Sequence, residues 1–115
     1  MEAKELRIGN YVKSPSGNVI EIEDGLSLDF LKGYTSILLT EEWLVRLGAE
    51  LKKIVGMGNE YNIELREVEI SWDKLTGVTV FILGTLESFC VSYIEYVHQF
   101  QNFCFALTNK ELTIK

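Results

Sequence analysis

Near the end of the chain, Tyr93, Val97, Phe100, Cys104 and Leu107 recur at spacings of four, three, four and three residues. Only a helix, at 3.6 residues per turn, gathers such positions on one face, so the spacing predicts an amphipathic C-terminal helix. Ser92, Tyr93, Ile94 and Glu95 have the order of a capping box that would start it there. Asn109, which tolerates positive φ, would end it before Leu112 and Ile114. The residues before this helix obey a different period. Runs at 51–55, 61–65, 68–72, 78–83 and 88–91 are short and rich in β-branched and aromatic residues, as strands are. Consecutive strands followed by one long helix define an α+β domain built on a mostly antiparallel sheet.

Within those strands the side-chain alternation is informative. Tyr61, Ile63 and Leu65 occupy odd positions whereas Val68, Ile70 and Trp72 occupy even ones, so the phase changes near Arg66 and Glu67 and demands a bulge or a turn. Residues 73–77, from an Asp to a Gly, read as a hairpin loop. Trp43, Trp72 and Phe81 fall on the apolar phase of their elements and are expected in the core.

The first half holds an N-terminal β-hairpin and a short central helix. Residues 7–13 and 18–23 flank Ser14, Pro15, Ser16 and Gly17, whose Pro and Gly supply the φ values of a tight turn. Val12, Val19 or Ile20, and Ile22 would face inward, with Glu21 and Glu23 in solvent and Asp24 and Gly25 ending the hairpin. The stretch through Phe30 and Gly33 shows no period, and a strand is expected at 35–39. Thr40 then caps a helix whose first turn carries Glu41 and Glu42, whose buried stripe is Trp43, Leu44 and Leu47, and whose left-handed stop is Gly48.

At 115 residues, with 47% apolar and 24% charged residues, the chain is expected to form a single domain over residues 1–115, with one core and no need of disulfides. Its net charge of −6 weighs against phosphate backbones and anionic lipid. Residues 1–58 carry 7 basic against 9 acidic residues and the remainder 4 against 8, so neither part is basic. Cys90 and Cys104 lie among apolar neighbours and are expected to be buried and reduced. The N-terminus lacks the apolar stretch of a signal peptide and no run is long enough to span a bilayer, which points to a cytoplasmic protein.

Motifs of catalysis and cofactor binding do not emerge. His98 and Cys104 are six residues apart on one helix, about 240° around it, and point apart. One His and two isolated Cys lack the paired spacing of a zinc site, so no metal is expected. Gly56, Met57 and Gly58 are not followed by the third glycine or the Lys-Ser of a phosphate loop. The carboxylate pairs Glu67 with Glu69 and Glu41 with Glu42 are explained by strand spacing and by a helix N-terminus. A different feature stands out on the last helix: Tyr96, His98, Gln101 and Asn102, with Gln99 beside them, make a polar but almost uncharged face. Such a face suits a protein partner, or it fastens the helix to nearby backbone.

Three blocks resemble a known family when taken together: residues 5–12 (ELRIGNYV), 39–44 (LTEEWL) and 96–102 (YVHQFQN). They are similar to an uncharacterised family of small proteins common in Bacteroidetes, their phages and mobile elements. The blocks cover about a fifth of the chain, in the family's order. That family's last block continues with leucines where this chain has Phe100 and Phe103, tyrosine at Cys104 and glycine at Asn109. A tyrosine in place of Cys104 speaks against a thiol nucleophile, and a glycine in place of Asn109 agrees with a helix stop. The first hairpin also resembles the opening strands of small Src-homology-type barrels, a likeness of fold that assigns no function.

The expectation is a small cytoplasmic accessory domain of phage or mobile-element origin, as the resemblance implies, without catalysis or cofactor, that binds another protein through Tyr96, His98, Gln101 and Asn102, extended by the first hairpin. A nucleic-acid-associated small barrel using Lys4, Arg7, Lys13 and Lys32 is the competing expectation, an enzyme without a recognisable motif the third, and homodimerisation stays open.

Overall fold

A computed structural model describes residues 6–22, 33–54, 58–65, 67–74, 77–91 and 94–114. Elements expected at Asp24, Gly25, Phe30, Gly56, Met57, Arg66, Ser92 and Tyr93, and the cations Lys4 and Lys32, lie outside the described residues. The protein is α+β. Two short strands, β1 (Tyr11–Lys13) and β2 (Val19–Glu21), form the N-terminal hairpin, followed by α1 (Glu41–Arg46). Strands β3 (Glu50–Ile54), β4 (Gly58–Leu65), β5 (Val68–Asp73), β6 (Gly77–Ile82) and β7 (Ser88–Val91) form an antiparallel sheet in sequence order, and α2 (Val97–Thr108) closes the chain.

In the hairpin, Val12 and Ile22 are buried and Ile20 packs beside them, while Val19 is exposed. Its two strands and a single bridge from Lys13 to Thr35 form an open ribbon, not a closed barrel, among the described residues. The expected strand at 35–39 is extended but pairs residue by residue with different neighbours. Thr35 exchanges backbone hydrogen bonds with Lys13, the Ile37 carbonyl accepts from Val97, and the Leu39 N–H donates to Glu95. Ile37 and Leu39 point inward and Leu38 outward, so the period of two survives without a sheet.

Thr40 caps α1, its Oγ1 accepting from the Trp43 N–H at 3.4 Å, and Gly48 follows at φ +100°, as the stop signal requires. Trp43, Leu44 and Leu47 are buried, and the Arg46 guanidinium lies 4.5 Å from the centre of the Trp43 ring. Beyond α1, the phase change near residue 66 proves to be a turn. Leu65 pairs with Val68, Ile63 with Ile70 and Tyr61 with Trp72, so odd positions of β4 and even positions of β5 share one face. In β6, Val78 and Val80 extend that face. They form one core with Val97, Phe100 and Cys104 of α2 and with Trp43 and Leu44 of α1. Burying a ring such as Phe100 contributes about 2–3 kcal/mol to holding α2 on this core.

The start of α2 corrects the sequence expectation. The helix begins at Val97, not near Ser92, because residues 94–96 are committed as extended backbone to residues 37–39. Tyr96 bridges Leu38, and its φ of −120° and ψ of 154° make it the N-cap. The box is closed by Gln99, whose Oε1 accepts from the Tyr96 N–H at 3.1 Å and the Glu95 N–H at 2.9 Å. Asn109 ends the helix in the left-handed region, at φ 59°. Leu107 is exposed although it completes the apolar stripe; it lines an open cleft with Glu67 and with Val68 at the start of β5. Thr108 is buried in its place, donating from its hydroxyl to the Cys104 carbonyl at 2.7 Å.

Candidate functional site

The polar residues of α2 are brought together with the N-terminus. Gln101 is fully buried and uses its whole amide on backbone. Its Nε2 donates to the Gly9 carbonyl and the Leu112 carbonyl, each at 2.9 Å, and its Oε1 accepts from the Tyr11 N–H at 3.0 Å. One side chain thereby ties the hairpin, the helix and the C-terminal tail. Asn102 Oδ1 accepts from Arg7 Nε at 2.7 Å and from Asn10 Nδ2 at 2.8 Å. Arg7 also pairs with Glu111 at 2.9 Å and lies 4.3 Å from the centre of the Phe105 ring. Gly9 sits at φ +95°, a conformation that favours glycine, and a Cβ there would stand 3.2 Å from the Glu111 carboxyl carbon and crowd that side chain.

His98 is also fully buried, its ring parallel to that of half-buried Tyr96 at 6.0 Å. Of the four residues expected to meet a partner, His98 and Gln101 thus present no surface, while Tyr96 and Asn102 are half-buried. The contacts of Gln101 and Asn102 are those of a helix fastened to its surroundings. Arg7, expected as a phosphate contact of the competing nucleic-acid reading, is turned inward onto Glu111 and Asn102, and Lys13 is exposed.

The cysteines differ from one another and, in part, from expectation. Cys104 is buried, and burial, with the nearby Glu111 carboxylate, pushes its thiol well above the ordinary range. A thiol held neutral is a poor nucleophile. Cys90 is exposed, because it lies on the outer face of edge strand β7, with its sulfur 3.6 Å from Thr79 Oγ1. Phe81 corrects the core expectation for the same reason: it stands on the outer phase of β6, opposite to Val78 and Val80, and is 40% exposed. Trp43 and Trp72 are in the core.

That outer face is the feature that sequence reasoning missed. One row of cross-strand neighbours runs Glu50, Asn62, Ser71, Thr79, Cys90, and another runs Glu64, Glu69, Phe81, Ser88. Glu50, Glu64, Phe81, Ser88 and Cys90 are exposed, while Asn62 and Ser71 are buried between their neighbours. Ser71 Oγ donates to Glu60. Asn62 is only 6% exposed, and its Nδ2 has no hydrogen-bond partner among the described residues. It lines a cleft of about 140 Å³ with Gly48, Glu50, Ile63, Glu64 and Glu69. On the core side, the Tyr61 hydroxyl donates to Glu41 Oε2 at 2.7 Å, which holds the phenol above its usual range. The available signal for the outer face was the polar phase of β4 and β5, in which Glu60, Asn62, Glu64, Glu69, Ser71 and Asp73 alternate with the core residues.

Compared with known proteins, the chain matches no family model, no curated protein and no solved structure. The fold and this face define its class: an α+β domain whose antiparallel sheet is packed on one side and bears carboxylates and an aromatic ring on the other. No helix among the described residues is long and apolar enough to cross a membrane.

Proposed function

We propose that this chain is a small non-catalytic accessory domain that binds another protein, in the cytoplasm, through the outer face of its five-stranded sheet. The observation that carries the reading is the pairing of Phe81 with Glu69 on that face, with exposed Glu64 next in the row. An exposed aromatic ring is the usual anchor of a protein interface, and adjoining carboxylates select a basic partner and speed its approach. A net charge of −6 favours the same kind of partner. The resemblance of three sequence blocks to an uncharacterised family common in phages and mobile elements suggests such an origin and assigns no activity. The polar face of α2, Tyr96 and Asn102 included, acts in this reading as the support that fixes the sheet against the hairpin.

The test is affinity capture from a native-host lysate, with and without nuclease, comparing wild type with Phe81→Lys and with Leu107→Lys, a change on an exposed helix position away from the face. One partner held by wild type and by Leu107→Lys but lost by Phe81→Lys supports the reading, provided the variants melt like wild type. Equal retention by both variants, capture that vanishes with nuclease, or recovery of only a second copy of the chain overturns it.

A further inference from the structure

Asn62 is buried on the outer face of the sheet with its Nδ2 unsatisfied among the described residues, a condition that costs free energy unless something supplies an acceptor. The cleft it lines carries the exposed carboxylates Glu50 and Glu64, and Glu64 stands directly opposite Glu69 across the ladder. The two exposed carboxylates Glu50 and Glu64 together attract a cation into the cleft. A fitting occupant must therefore be a cation and a hydrogen-bond acceptor at once. A metal ion, a polyamine or a free guanidinium has no acceptor for the Asn62 N–H, and an anion is repelled by the carboxylates. At about 140 Å³ the cleft lies below the size of pockets that enclose whole small molecules. It has room for one side-chain head.

We propose that this cleft takes an arginine-bearing segment of the partner, the guanidinium held by Glu50 and Glu64 and a neighbouring backbone carbonyl accepting from Asn62 Nδ2. The proposal rests on the reading of the outer face as the partner-binding surface and names what that surface recognises. The planar guanidinium, with five donors, spans two carboxylates as an ammonium does not. The adjacent carbonyl is what separates a peptide from a free cation.

The experiment is an NMR titration of the isotope-labelled full chain with N-acetyl-arginine-N-methylamide, and with guanidinium chloride at matched ionic strength. The peptide-like probe is expected to shift the Asn62 side-chain amide saturably, and guanidinium to leave it in place. In the double variant Glu50→Gln, Glu64→Gln the affinity falls about tenfold or more. In Asn62→Val, which removes a donor that bonds nothing among the described residues, the backbone signals of Ser71 and Glu50 no longer respond. No saturable shift, an equal response to guanidinium, or indifference to the variants overturns the proposal. If Asn62→Val captures the lysate partner as wild type does while Phe81→Lys does not, the arginine cleft fails and the outer-face reading stands. If Phe81→Lys also captures it, the outer-face reading fails.

Discussion

Gln101 on α2 and Asn62 on β4 are both buried side-chain amides, and the protein uses them in opposite ways. Gln101 spends one acceptor and two donors on three backbone groups from three parts of the chain. Asn62 keeps an Nδ2 that bonds nothing among the described residues, beside exposed carboxylates. Polar groups exhausted on backbone specify the fold, whereas a buried donor left over is a cost to the isolated domain that an incoming acceptor can remove. Polarity on a helix face or a sheet face therefore does not distinguish scaffold from site, but the number of unspent hydrogen bonds does.

The largest effect expected from breaking this comparison is at Gln101. Gln101→Ala strands the Tyr11 N–H and the Gly9 and Leu112 carbonyls and leaves a cavity, so the domain should lose about 3 kcal/mol or more in denaturant unfolding. A loss below about 1 kcal/mol would mean that water replaces the amide. Arg7→Met comes next. It removes the half-exposed pair with Glu111 and the bond to Asn102 while keeping an alkyl stem against Phe105, for a loss of about 1 kcal/mol after allowance for solvent screening. High salt should reduce the difference from wild type.

Asn62→Val should act in the opposite direction and raise stability by up to about 1 kcal/mol, since it deletes an unsatisfied donor and adds a strand-favouring side chain. Destabilisation comparable to that of Gln101→Ala would make Asn62 part of the scaffold and dissolve the contrast. The smallest effect concerns Tyr61 and Glu41. The phenol that donates to Glu41 holds its proton more tightly in the folded state, so the bond's contribution is complete below the ordinary tyrosine range near pH 10 and is lost as pH rises through the raised folded value. Phenolate absorbance against pH should show Tyr61 titrating late in wild type and earlier in Glu41→Gln.

Much of the fold was legible because local chemistry and global packing agree. The strands of the large sheet, the Thr40 cap, the Gly48 stop, the Asn109 stop and the turn after Leu65 all follow from period and turn residues, which act over a few positions. The features that misled the reading share one cause, the surroundings that tertiary structure supplies. Residues 94–96 have the composition of a helix start, yet pairing with residues 37–39 draws them out and delays α2 to Val97. Leu107 keeps the helical spacing but borders an open cleft, and Cys90 and Phe81 are apolar by type yet stand on an outer phase that nothing described covers.

By itself, the sequence determined which segments become strands and helices, which phase of each strand is apolar, and that acidic residues gather on the polar phase of β4 and β5. Only the tertiary structure decided that the polar face of α2 turns inward onto Gly9, Tyr11 and Leu112, and that Asn62 is buried with an unspent donor. The physical reason is that periodicity records which way a side chain points along its own element, whereas burial and hydrogen-bond satisfaction depend on residues some ninety positions away along the chain, as Tyr11 is from Gln101.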